Sequence, residues 1–125
     1  ATETVLLVED DPQVRHVACL ILRRAGYLLL EASTPREALQ IVQRYPGRID
    51  LLLTDVVMPV MNGQKLSEQV IALRPGIKVL FMSGYTDDVI LHRGVLEPGF
   101  ALVEKPLTPV ALNRKVRQVL DGAPA

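Results

Sequence analysis

The residues of this chain best suited to chemistry stand where apolar runs end. Leu51-Leu52-Leu53-Thr54 stops at Asp55, Val5-Leu6-Leu7-Val8 stops at Glu9-Asp10-Asp11, and Ala101-Leu102-Val103-Glu104 stops at Lys105-Pro106. A carboxylate that closes a buried strand is costly unless its charge is used there. In an open parallel sheet, ligands bind in the crevice at the carboxyl ends of the strands, so these positions can converge. Carboxylates and a lysine gathered around strand ends suggest a divalent cation and a phosphoryl group.

The elements that must position these groups are legible in the patterning. Apolar runs occur at Val5 to Val8, Tyr27 to Leu30, Asp50 to Thr54, Lys78 to Met82 and Ala101 to Glu104. Continuous rather than alternating apolarity marks strands covered on both faces, as in a parallel sheet flanked by helices. Between the runs lie helix signals. Asp11 reads as an N-cap with Pro12 at the first helical position, Gly26 as the end, and Val14, Val17, Ala18, Ile21 and Leu22 as the buried face. Thr34-Pro35-Arg36-Glu37 reads as a capping box leading into Ala38, Leu39, Ile41 and Val42. A third helix starts near Gly63 and carries Leu66, Val70 and Leu73. A short, weakly patterned one is expected over Thr86 to His92, and a last one opens at Thr108-Pro109 and buries Leu112, Val116, Val119 and Leu120. The pattern predicts a (βα)5 α/β domain occupying 1–125, with its core at about 4–121.

Composition narrows the function classes. A chain of 125 residues, 49% of them hydrophobic, can bury a sizeable core and is not a disordered segment. With 14 basic and 14 acidic residues the net charge is zero, so neither nucleic acid nor an anionic membrane surface is an expected partner. The single Cys19 excludes an internal disulfide framework, fits a reducing compartment, and on a helix reads as packing. No apolar stretch reaches the roughly 18 residues of a membrane span, and Ala1-Thr2-Glu3-Thr4 does not read as a signal peptide. A cytoplasmic location is expected. The start at Ala1 instead of Met suggests a piece cut from a longer protein.

Taken together, Val8-Glu9-Asp10 after the first strand, Asp55 with Met58-Pro59 and Gly63 after the third, Ser83-Gly84 after the fourth and Lys105-Pro106 after the fifth resemble the receiver domains of two-component response regulators and hybrid histidine kinases. Each element alone is weak; the ordered set, covering Val5 to about Leu120, is specific. The resemblance implies a flavodoxin-like parallel five-stranded sheet in the order 2-1-3-4-5. It also implies transfer of a phosphoryl group from a phosphohistidine of a histidine kinase or histidine phosphotransfer protein to Asp55.

By the same resemblance Asp10 and Asp55 are direct ligands of Mg²⁺, with Mn²⁺ as a substitute; the backbone carbonyl of Val57 is a third ligand, and Glu9 acts through water. Carboxylate attacks an anionic donor only if charge is cancelled where the transfer occurs, which is the cation's task. Lys105 pairs with Asp55 before transfer and with a phosphoryl oxygen after it. Ser83 donates its hydroxyl to the phosphoryl group, drawing its loop toward Asp55, and Pro106 follows a cis peptide. Asp11 is a cap rather than a ligand, and His16 and His92 are surface residues.

One departure from the family pattern and two of its variable positions bear on mechanism. The usual aromatic three positions before the lysine is Leu102 here, which puts a rotamer switch in doubt and leaves Phe100 as the substitute on the same face. Val57 and Tyr85, flanking the attack line for water, are apolar and bulky, so slow self-hydrolysis is expected. The rival classes fit less well. A small aspartyl-phosphate hydrolase would carry a second Asp where Val57 stands, and a nucleotide-binding module would need a glycine-rich loop in place of Glu9-Asp10-Asp11. A docking-only receiver would not need the full acidic, hydroxyl and lysine set. Beyond Leu120 no output domain is expected, and Met82 to Asp88 with Gly94-Val95-Leu96 and Lys105 to Pro109 looks most like the receiver of a hybrid histidine kinase. The phosphodonor is expected to grip the first helix near Val14 and Arg15. Oligomeric state is not legible.

Overall fold

The computed structural model describes residues 3–58, 61–84 and 101–122. Its elements are β1 (Thr4–Val8), α1 (Pro12–Arg24), β2 (Leu28–Ala32), α2 (Pro35–Arg44), β3 (Leu51–Asp55), α3 (Gly63–Leu73), β4 (Lys78–Ser83), β5 (Leu102–Glu104) and α4 (Pro109–Asp121). All four strand pairings are parallel and the order is β2-β1-β3-β4-β5, as expected. The helix expected over Thr86 to His92 lies outside the described residues, as do Pro59, Tyr85 and Phe100.

Both faces of the sheet are covered, which is why its central strands are apolar without alternation. Val5, Leu7, Leu51, Leu53, Leu80 and Met82 face α1 and α4, where they meet Ala18, Leu22, Leu112 and Val116. Leu6, Val8 and Leu52 face α2 and α3, where they meet Ala38, Val42, Leu66 and Val70. Every residue of β1 and β3 is buried, so Glu9 and Asp55 stand at the ends of strands embedded in the core.

Three local expectations shift. β2 runs from Leu28 to Ala32 rather than from Tyr27 to Leu30, because the Tyr27 N–H turns back to the Leu22 carbonyl (3.1 Å) and finishes α1, where Gly26 takes a left-handed φ of 98°. On α1, Cys19 is buried while Val17 is 42% exposed, so the buried face centres on Ala18 and Leu22. In α4, Leu112 and Val116 are buried, whereas Val119 and Leu120 only flank the core. Cys19 is packed in the core as expected, and burial, with the Glu31 carboxylate adding to it, pushes its thiol up to about 11.

The caps set where the site loops begin. Asp11 accepts from the N–H groups of Gln13 (2.9 Å) and Val14 (3.5 Å) and starts α1 directly after the acidic turn. Asn62, which sequence patterning missed, accepts from the Lys65 N–H (2.8 Å) and starts α3 behind Asp55. In α2, Thr34 accepts from the Glu37 N–H while Glu37 reaches back to the Ser33 N–H (2.7 Å), one residue beyond the usual capping-box partner.

Candidate functional site

The strand ends bring the predicted residues together. Asp55 closes β3 and is 7% exposed; Glu9 follows β1 and is fully buried; Asp10, next to it, is exposed. Carboxylate oxygens of Glu9, Asp10 and Asp55 all lie within 4.8 Å of one another. Lys105, just after β5, places its Nζ 2.9 Å from Asp55 Oδ1 and 2.7 Å from Glu9 Oε1. The Lys105–Pro106 peptide is cis, as expected. Asp11 serves as the α1 cap and stands outside the acidic cluster. His16 is exposed, and His92 lies outside the described residues.

Glu9 is held more tightly than the sequence suggested. Besides the Lys105 ammonium at one oxygen, its other oxygen accepts from the Asp11 N–H at 3.2 Å. Burial pushes the Glu9 carboxyl above the usual carboxylate range and the neighbouring Asp55 adds to this, while Lys105 pulls the other way. Asp10 is raised too, by burial and by the charge of Glu9. Burial alone would lower the Lys105 ammonium, but its bonds to Glu9 and Asp55 outweigh that and leave it above its ordinary value. Burial thus leads the shifts of Glu9 and Asp10, with carboxylate neighbours adding to it, while Lys105 is raised by the carboxylates it pairs with.

Ser83 closes β4 with its hydroxyl buried and, among the described residues, without a hydrogen-bond partner. A buried polar group left unpaired costs about 1–3 kcal/mol, and this one stands at the same strand ends as Asp55 and Lys105. Its main chain is tied to the lysine, since the Lys105 N–H donates to the Ser83 carbonyl at 2.8 Å. Val57, two residues after Asp55, is 58% exposed, and Leu102 is partly buried against Val56 and Phe81.

The turn after Asp55 depends on Gly63. Its N–H donates to the Val56 carbonyl at 2.7 Å, and a Cβ there would run into the Asp55 carbonyl oxygen. Thr54 Oγ1 donates to that same Asp55 carbonyl at 3.1 Å. In the sequence Gly63 reads as a helix start and as part of the motif after the third strand; its approach to the backbone behind Asp55 emerges from packing.

The residues present suit a small hard cation. Three carboxylates with oxygens within 4.8 Å of one another offer the oxygen donors that Mg²⁺ prefers. Glu9, with both oxygens engaged, is the member best placed to act through water.

Comparison with known proteins decides the family. Residues 5–117 match the response regulator receiver domain family. The chain belongs to that family. It is 36% identical over 118 residues to the sensor kinase CckA of Brucella abortus (strain 2308), which covers 94% of this chain and 12% of that protein. It is 35% identical over 81 residues to the receiver protein CpdR of the same organism, covering 65% of this chain and 66% of that one. Among solved structures, the receiver domain of the hybrid histidine kinase CckA superposes with a TM-score of 0.77 at 37% identity, covering 94% of this chain and 98% of that one. A CheY-like receiver from Methanospirillum hungatei JF-1 does so with a TM-score of 0.79 at 28% identity, covering 98% and 96%. The flavodoxin-like receiver fold follows, and with it the receiver role in two-component signalling, in which the general function is acceptance of a phosphoryl group on an aspartate. As a receiver the chain is not a dedicated enzyme, and the hydrolase and nucleotide-binding alternatives fall away. The chain spans 12% and 50% of the lengths of the first curated relatives it matches.

Proposed function

We propose that Asp55 is the phosphoacceptor, taking a phosphoryl group from a phosphohistidine of a histidine kinase or histidine phosphotransfer protein with Mg²⁺ bound by Asp10, Asp55 and the Val57 carbonyl, and by Glu9 through water. Mn²⁺ substitutes. The observation that carries this reading is the placement of Lys105 Nζ, 2.9 Å from Asp55 and 2.7 Å from Glu9, beside a third carboxylate. Three carboxylates against one ammonium leave two negative charges, the charge that a divalent cation cancels.

The step needs little covalent chemistry from the protein. An Asp55 oxygen attacks phosphorus, the bond to the histidine nitrogen breaks, and the imidazole leaves with that electron pair and takes up a proton. A cation held by Asp10, Asp55 and the Val57 carbonyl would supply the charge neutralisation that lets a carboxylate approach an anionic phosphoryl group. Lys105 moves from the Asp55 carboxylate to a phosphoryl oxygen, and the Ser83 hydroxyl gains the acceptor it lacks in the resting state. Self-hydrolysis is slow because Val57 offers no polar group to orient the attacking water. A docking-only receiver would have no use for a buried, unpaired Ser83 beside this cluster.

The parent is proposed to be a hybrid histidine kinase, on the strength of 36% and 37% identity to CckA-type chains, with this receiver on its cytoplasmic side as one folding unit. Among the described residues, no helix is long and apolar enough to cross a membrane. The phosphodonor is proposed to dock over α1 near Val14 and Arg15.

The test is intact mass spectrometry after incubation with acetyl phosphate, with and without Mg²⁺, on the native chain and on Asp55→Asn. A single Mg²⁺-dependent phosphoryl adduct, absent from the variant, is expected. No adduct, and no complex with beryllium fluoride, would return the chain to a docking role.

A further inference from the structure

We infer that Arg15 is a positioning residue of the metal site: its guanidinium fixes the peptide between Glu9 and Asp10 and so aims the Asp10 carboxylate. The inference rests on the proposed cation site and adds to it a residue that lies outside the acidic, hydroxyl and lysine set. Arg15 Nη1 donates to the Glu9 carbonyl at 2.8 Å. That carbonyl and the Asp10 N–H belong to one planar peptide, so holding the oxygen sets the plane from which Asp10 departs.

Glu9 is anchored on its other sides as well. The Glu9 N–H donates to the Ala32 carbonyl at the end of β2 (3.1 Å), and the Glu9 side chain is gripped by Lys105 and the Asp11 N–H. Only the carbonyl side then needs fixing, and Arg15 supplies it. The guanidinium is steadied in turn. Its Nε lies 3.8 Å from Glu31 Oε1, whose other oxygen meets Arg23 at 3.3 Å. With its side chain 23% exposed, Arg15 is largely packed in place, one donor committed to the Glu9 carbonyl and its charge facing the Glu31 carboxylate.

Charge and position make opposite predictions here. A cation near a metal site repels the metal, so removal of Arg15 would tighten binding if charge alone mattered. Loss of a positioning contact loosens it, and such outer contacts are typically worth about 10–100-fold in metal affinity.

The test is titration of the native chain, Arg15→Lys and Arg15→Met with Mn²⁺, reading free Mn²⁺ by electron paramagnetic resonance, alongside thermal melting by circular dichroism. Arg15→Met is expected to bind about tenfold more weakly, at the lower end of that range, and Arg15→Lys, which keeps one donor for the Glu9 carbonyl, to fall between it and the native chain. Melting temperatures should stay within a few degrees of each other. Equal or tighter binding by Arg15→Met overturns the inference. Should Arg15→Met not fold, native affinity in Arg15→Lys overturns it equally. A native chain that binds no Mn²⁺ overturns the cation site itself, and the positioning role with it.

Discussion

Gly63→Ala sets two effects of opposite sign against each other. Gly63 is the first residue of α3, and alanine in a helix is favoured over glycine by up to about 1 kcal/mol, partly through a less flexible unfolded chain. Propensity alone therefore predicts a more stable protein. The packing predicts the reverse. A Cβ at this position would overlap the Asp55 carbonyl oxygen and lie 3.0 Å from its carbon and 3.2 Å from the Val56 Cα, all of them backbone atoms that cannot swing aside like a side chain. Relief requires moving α3 off the strand end, which strains the 2.7 Å bond from the Gly63 N–H to the Val56 carbonyl. Overpacking costs about 1–3 kcal/mol and a lost buried hydrogen bond about 1–3 more, so after subtracting the helix gain the net is about 1–5 kcal/mol of destabilisation. With a urea slope of about 2 kcal/mol/M, a loss of about 3 kcal/mol lowers the unfolding midpoint by about 1.5 M. Urea unfolding followed by far-ultraviolet circular dichroism measures it directly. Gly84→Ala is the control, since among the described residues a Cβ there meets nothing within 4 Å. An unchanged or higher midpoint in Gly63→Ala would refute the reasoning. The same displacement should lower the yield of the Mg²⁺-dependent phosphoryl adduct, because the strained peptide immediately precedes Val57.

Lys105→Met should cost about 3–5 kcal/mol near neutral pH, because it leaves the fully buried Glu9 and nearly buried Asp55 without their cation. Glu9 already sits above its ordinary value, and a carboxyl raised in the folded state favours folding below its unfolded pKa and loses that advantage as pH rises through the folded one. The deficit should therefore be smaller at pH 5 than at pH 8 in urea melts; an equal or larger deficit at pH 5 would contradict the assignment. Glu37 is held below its ordinary 4.5 by the bonds from Ser33, so its contribution is present above that value and disappears as pH falls through the depressed folded pKa. Glu37→Gln should lower the melting temperature at pH 7 and converge with the native chain in strong acid. Val57→Asn, which puts a polar amide on an exposed position beside the phosphoacceptor, should shorten the phosphoryl lifetime as read by decay of the mass adduct; an unchanged lifetime sinks the role assigned to Val57.

The elements were legible because burial on both faces writes strands as unbroken apolar runs, and because Asp11, Thr34 and Thr108 announce helices through their own side chains. The strand order came from the family resemblance, not from patterning. What escaped was set by partners distant in sequence. Tyr27 looked like strand until its N–H was seen to finish α1, and Val17 looked buried until the helix rotation brought Cys19 inward. In the site, Asp55, Glu9, Asp10, Ser83 and Lys105 could be named because each ends a strand or stands just beyond one. The bond between Lys105 and Glu9 spans 96 residues, and the bond from Arg15 ends on a carbonyl that carries no residue identity, so no motif could have shown either. Asn62 was passed over because its cap role is visible only once the helix start is known.

The resting crevice is set against itself in a way that suits a switch. Lys105 is divided between Glu9 and Asp55, and Ser83 pays for burial with an unused hydroxyl. A modification shifts a conformational equilibrium only through interactions that differ between the two states. A phosphoryl group on Asp55 would supply both differences at once, an acceptor for Ser83 and a new anion for Lys105. Because the Lys105 N–H is bonded to the Ser83 carbonyl, movement of either residue is felt by the other through the paired ends of β4 and β5. The aromatic side chain that other receivers place three positions before the lysine is Leu102 in this chain, so the coupling proposed here runs through backbone pairing. Replacing Leu102 by alanine should then leave the phosphorylation-linked change at Ser83 intact, whereas Ser83→Ala should abolish it; amide chemical shifts recorded with and without beryllium fluoride would separate the two routes.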